Sequence, residues 1–105
     1  MRDLKIKADV DNTGIRKQVF LKIIDLAKLY QLSKVVLFGS RARGDHYDKS
    51  DIDLAVAGGN ITEFSLDVED ETETLLQYDI VDLEKAEEKL IENIRKDGII
   101  IYEKI

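Results

Sequence analysis

A short apolar run, Lys34-Val35-Val36-Leu37-Phe38, stops at Gly39-Ser40, and ten residues later a second run opens as Asp51-Ile52-Asp53-Leu54. These two segments constrain the fold more than any others. The first is too short for a helix, rich in β-branched residues and closed by glycine, so it reads as a buried strand. The second alternates as far as Ala57, with Asp51, Asp53 and Ala55 on one face and Ile52, Leu54 and Val56 on the other. Two such strands need a sheet and something apolar to cover it.

The rest of the sequence supplies the cover. Ile15, Val19, Ile23, Leu26, Ala27 and Tyr30 recur at three- and four-residue spacing, which predicts an amphipathic helix over roughly residues 13–31, started by Asn12 or Thr13. Gly58-Gly59-Asn60 breaks the second strand, and Ile61, Phe64, Val68 and Leu75 predict a helix with an acidic outer face. Tyr78 to Leu83 reads as the third central strand. Glu84 to Lys96 carries Ala86, Leu90, Ile91 and Ile94 on one helical face and stops at Gly98, and Ile99 to Tyr102 reads as a last strand. Leu4, Ile6, Ala8 and Val10 alternate as an edge strand or arm would. Helices interleaved with strands imply an α/β or α+β layer architecture, a mixed β-sheet flanked by helices. With no repeat, no low-complexity tract and no proline to mark a linker, residues 1–105 read as one domain.

Composition narrows the function. No stretch approaches the roughly 18 apolar residues of a membrane span, and the charged N-terminus lacks the apolar core of a secretory signal. The lack of cysteine suits a reducing cytoplasm. A net charge of -6 argues against direct nucleic-acid binding, which normally presents a basic footprint to phosphates. Arg41, Arg43 and Lys49 nevertheless form a local basic group beside the glycine turn, large enough for the phosphates of a small ligand.

The chemistry is carried by the turn and the carboxylates together. Glycine lets backbone approach a ligand closely, neighbouring N–H groups can face phosphate oxygens, and Ser40 adds a hydroxyl. Arg41 and Arg43 add guanidinium forks suited to phosphate. Asp51 and Asp53 share one strand face, and two carboxylates at about 4 Å repel by roughly 4 kcal/mol at an effective dielectric near 20. A cation between them removes that cost, and hard oxygen ligands select Mg²⁺, whose shell is usually completed by substrate phosphates. A phosphate turn beside metal-binding carboxylates points to phosphoryl or nucleotidyl transfer.

Gly39-Ser40, ten residues, then Asp51-Ile52-Asp53 resembles the signature of the DNA polymerase beta-like nucleotidyltransferase superfamily. The fuller run, Gly39-Ser40-Arg41-Ala42-Arg43-Gly44 followed by Ser50-Asp51-Ile52-Asp53-Leu54, is similar to its minimal nucleotidyltransferases. The resemblance implies the polymerase beta-like palm fold, ATP as substrate, two Mg²⁺ ions and a third carboxylate from a later strand. Asp79 matches that third position and Asp82 is the alternative. The two are three residues apart in a strand, so only one can face Asp51 and Asp53. Asp51, Asp53 and Asp79 are then the catalytic and metal-binding set, with Gly39, Ser40, Arg41 and Arg43 on the phosphates. The resemblance further implies a partner, a helical HEPN ribonuclease toxin. In that family the small enzyme is the antitoxin and moves AMP from ATP to a tyrosine hydroxyl of the toxin, so an assembly with the partner is expected.

Plainer roles remain open for several residues. Asp51 and Asp53 could be a solvated strand edge, Arg43 an anchor for its loop, and Arg41 simply exposed. His46 reads as a solvated turn residue rather than a base or toxin contact. The acidic run Asp67, Glu69, Asp70, Glu71 and Glu73 reads as the wet face of a helix. At the level of function, the alternatives are a non-catalytic antitoxin of the same fold that works by binding, and nucleotidylation of a small molecule.

Overall fold

A computed structural model describes residues 12–104; the proposed arm of Leu4, Ile6, Ala8 and Val10 lies outside them. In chain order the elements are α1 (Lys17–Leu29), β1 (Lys34–Phe38), α2 (Gly39–Arg43), β2 (Ile52–Ala57), α3 (Ile61–Glu71), β3 (Tyr78–Asp82), α4 (Glu88–Asp97) and β4 (Ile99–Glu103). The strands form one mixed sheet in the order β3-β2-β1-β4. β1 runs antiparallel to both β2 and β4, and β2 pairs in parallel with β3 through the α3 crossover.

Strand alternation sorts the side chains onto two unequal faces. On the larger side Val35, Leu37, Ile52, Leu54 and Val56 pack with Val19, Phe20, Ile23 and Ala27 of α1 and with Phe64 and Val68 of α3. On the smaller side Val36 and Ala55 meet Ile94 of α4, with Phe38, Val81, Leu83 and Leu90 half-buried around them. Asp53 follows Ala55 in the two-residue period and therefore lies on the α4 side.

Several element boundaries differ from the sequence expectation, each for a local reason. The first helix starts at Lys17 rather than near Thr13, because Gly14 sits at φ +71, a left-handed conformation that no right-handed helix continues through. Thr13 instead accepts the Ile15 N–H at 3.2 Å in a tight turn. The helix after Gly59 is capped by the Asn60 side chain, which accepts the Glu63 N–H at 3.2 Å, but it ends at Glu71. Leu75 lies beyond it and is fully exposed. β3 forms the sheet edge beside β2, not a central strand. The fourth helix begins at Glu88, because residues 82–85 turn back through the Lys85 N–H to Asp82 carbonyl bond at 3.0 Å. Among the described residues no helix is long and apolar enough to cross a membrane.

Candidate active site

β1 delivers the chain to one end of the sheet, and β2 and β3 start from that same end. The registers put Phe38 opposite Asp53 and Asp53 opposite Asp79, so the three residues form a row across neighbouring strands. Partners directly across a ladder project to the same face. Asp79 therefore stands beside Asp53 on the α4 side. Asp82 pairs with Val56 and follows Tyr78 and Ile80, which pack into the larger core on the other face. Its Oδ1 accepts the Glu84 N–H at 2.9 Å, an anchor for the turn leaving β3. Of the two carboxylates that the sequence left open, the register brings only Asp79 to Asp53.

The turn after β1 fits against the same carboxylate. Gly39 has φ +79, and a Cβ at this position would collide with Oδ2 of Asp53. Glycine is thus required twice, for its backbone conformation and for the close approach of the strand end to Asp53. Instead of an open loop, residues 39–43 form a single helical turn capped by Gly44, whose N–H donates to the Ser40 carbonyl at 2.8 Å. The Ser40 hydroxyl makes no hydrogen bond to any described residue.

Asp53 is half-buried, and its environment is net repulsive for an anion. Burial, then Asp79, then Asp51 push its carboxyl from the usual 3.8 up to about 6, while Arg43 and Arg41 draw it back only partly. Such surplus negative charge from oxygen donors suits a hard divalent cation. Among the described residues no three acidic, histidine or cysteine side chains close into a cage. The arrangement fits Mg²⁺ of the kind held by one or two carboxylates and completed by phosphates.

The two arginines separate cleanly. Arg41, expected to contact phosphate or to be exposed, is 1% exposed. Its Nη1 donates to the Thr13 carbonyl at 2.7 Å, its Nε to Ser50 at 3.0 Å, and its Nη2 to Asp48 at 2.9 Å and Tyr47 at 3.4 Å. Every nitrogen of the guanidinium is taken by backbone, so Arg41 is a clamp that ties the Asp45–Ser50 loop to the turn before α1. Four of its five N–H groups are committed to backbone carbonyls and the side chain is buried, so it presents no open fork to a ligand. Arg43 is half-exposed, with Nε 3.1 Å from Asp45 and Nη1 3.9 Å from Asp97 at the end of α4. It anchors α2 while remaining open to solvent on the side of Asp53.

The loop between α2 and β2 corrects the reading of His46 as a solvated turn residue. His46 is half-buried rather than solvated, and its Nδ1 is enclosed without a hydrogen-bond partner among the described residues. It packs against Gly14, where the Arg41 guanidinium also lies. Tyr47 is 84% exposed. No sequence pattern marks the burial of His46, because it depends on a turn about thirty positions earlier in the chain. The acidic α3 residues Glu69, Asp70 and Glu71 are exposed, as expected of a wet helix face, and Glu71 pairs with Lys22 at 3.3 Å. Asp67 is instead half-buried and accepts the Tyr30 hydroxyl.

A family model described as Polymerase beta, Nucleotidyltransferase matches residues 21–105. The provisionally named protein adenylyltransferase MJ0604 of Methanocaldococcus jannaschii is 33% identical over 82 residues, which are 69% of this chain and 80% of the relative. A crystal structure of a toxin-antitoxin with AMP-PNP superposes with a TM-score of 0.63 at 28% identity, over 81% of this chain and 73% of its own. The structure of a tri-AMPylated Shewanella oneidensis HEPN toxin in complex with MNT antitoxin also superposes at 0.63, over 86% of this chain and 74% of its own. At 24% identity that last likeness is one of fold.

Proposed function

We propose, because the chain belongs to the polymerase beta nucleotidyltransferase family, that it is a minimal antitoxin that transfers AMP from ATP to a tyrosine hydroxyl of a HEPN-type toxin. The observation that carries this reading is the row Asp53–Asp79 with the Gly39 backbone pressed against it, in a chain similar to a protein adenylyltransferase and to a toxin-antitoxin that holds an ATP analogue.

In this mechanism the β- and γ-phosphates lie over the Gly39-Ser40 turn, where the free Ser40 hydroxyl donates to them and Arg43 contributes positive charge. Asp51, Asp53 and Asp79, one or two to each ion with the phosphates completing the shell, would hold Mg²⁺, which when bound would neutralise phosphate charge and make an acceptor hydroxyl easier to deprotonate. Asp79 lies at the sheet edge and is exposed, so it meets an incoming protein before Asp53 does. There it orients the tyrosine hydroxyl and takes its proton. The hydroxyl oxygen bonds to the α-phosphorus in line with the departing oxygen, and pyrophosphate leaves. Reaction of this kind belongs in the cytoplasm, where ATP is supplied.

The test uses ATP labelled at the α-phosphorus, Mg²⁺ and a HEPN-type toxin as the partner. The expected result is label on the partner from α-labelled but not from γ-labelled ATP. A stable complex without any transferred label would instead make this chain an antitoxin by binding alone.

A further inference from the structure

We propose that Tyr47 is a self-adenylylation site, modified with AMP by the chain that carries it; the inference rests on the adenylyltransferase reading above. The chain has four tyrosines, and the structure sets one apart. The Tyr30 hydroxyl donates to Asp67, which together with burial pushes it up to about 12 and so makes it harder to ionise. The Tyr78 hydroxyl is within 2.7 Å of the Thr72 hydroxyl, and Tyr102 is buried in the core. Tyr47 alone combines an exposed ring with a hydroxyl that bonds to no described residue.

Its position is as specific as its exposure. The Tyr47 N–H donates to the Ser50 hydroxyl at 2.8 Å, and its carbonyl accepts the Ser50 N–H at 3.0 Å, closing a four-residue turn. Such a turn holds its end Cα atoms within about 7 Å, and one further residue adds about 3.8 Å. The Tyr47 Cα therefore lies within about 11 Å of the Asp51 Cα. Arg41 clamps this backbone from beneath through the carbonyls of Tyr47, Asp48 and Ser50. The backbone is fixed, while the exposed ring stands on the loop that leads directly into Asp51 and Asp53.

The step balances without any further reactant. The Tyr47 Oη attacks the α-phosphorus of ATP and forms the new O–P bond. The bond from the α-phosphorus to the bridging oxygen breaks, pyrophosphate leaves with that electron pair, and the phenol proton passes to a neighbouring carboxylate and on to water.

To test this, the full chain is incubated alone with Mg²⁺ and α-labelled ATP, and the modified peptide is located by mass spectrometry. The result expected is one AMP on the peptide containing Tyr47. Label should fall to background in Tyr47→Phe, while that variant still labels the HEPN partner at the parent rate. A chain that labels the partner but carries no AMP itself, or carries it on another residue, overturns the assignment of Tyr47 and leaves the adenylyltransferase reading standing. If neither protein is labelled, the adenylyltransferase reading fails and self-modification fails with it.

Discussion

Asp53→Asn is expected to fold more stably than the parent chain while transferring AMP at least about 100-fold more slowly, the scale of losing one charged group that acts on the reacting phosphate. The stability gain follows from the direction of the shift. Burial, Asp79 and Asp51 raise the Asp53 carboxyl from 3.8 to about 6, so the folded chain holds that proton more tightly than the unfolded chain does. Stability therefore falls as pH rises from about 4 to about 6, and the full penalty is present at neutral pH. At 1.36 kcal/mol per tenfold the rise corresponds to about 3 kcal/mol. Water screens the open side of this half-buried group, which leaves about 1 kcal/mol. Asparagine removes the charge at constant shape, so urea unfolding at pH 7.5 without divalent ions should show a midpoint above the parent's. At pH 4 the difference should disappear. A variant less stable than the parent at pH 7.5 would mean that Asp53 is a structural partner rather than a strained anion.

Arg41→Ala is expected to cost about 3 kcal/mol or more, the largest stability loss of any single change in the site. The guanidinium answers four backbone carbonyls from two distant segments, and alanine leaves the enclosed ones without a donor. Lysine does not substitute, because one ammonium at the end of a flexible stem cannot span carbonyls on both sides of the clamp. Both variants should unfold at lower urea, and amide exchange should speed up at Ser50, whose N–H closes the turn on Tyr47. An Arg41→Ala chain of parental stability that had lost only ATP affinity would return Arg41 to the phosphates.

The contrast between these residues marks how far the sequence reaches. β1 and β2 are legible because strand period and β-branched composition are local properties, and the Asp53 face follows from them. Gly39 is legible as a turn, although its second role against Asp53 depends on how closely two strands approach. Alternation shows that Asp79 and Asp82 cannot both join the site, but the choice is made by the parallel register of β2 and β3, which the α3 crossover sets. Arg41 is the clearest limit. Beside a glycine turn it reads as a phosphate ligand, and only the arrival of Thr13, twenty-eight positions earlier, converts it into a buried clamp. The early end of α3 and the exposure of Leu75 are likewise tertiary outcomes, since the apolar spacing continues past the last residue that the sheet covers.

The register is also the most direct point of attack on the catalytic centre. Single-turnover transfer of AMP from α-labelled ATP to the HEPN partner should be measured for Asp79→Asn and Asp82→Asn beside the parent, with complex formation followed in parallel. Asparagine keeps the side-chain oxygen that Asp82 uses to hold the Glu84 N–H, so both chains should fold and bind the partner. The result predicted is a loss of at least about 100-fold in Asp79→Asn and a rate within about threefold of the parent in Asp82→Asn. Full transfer by Asp79→Asn, or a loss confined to Asp82→Asn, would contradict the centre built on Asp53 and Asp79.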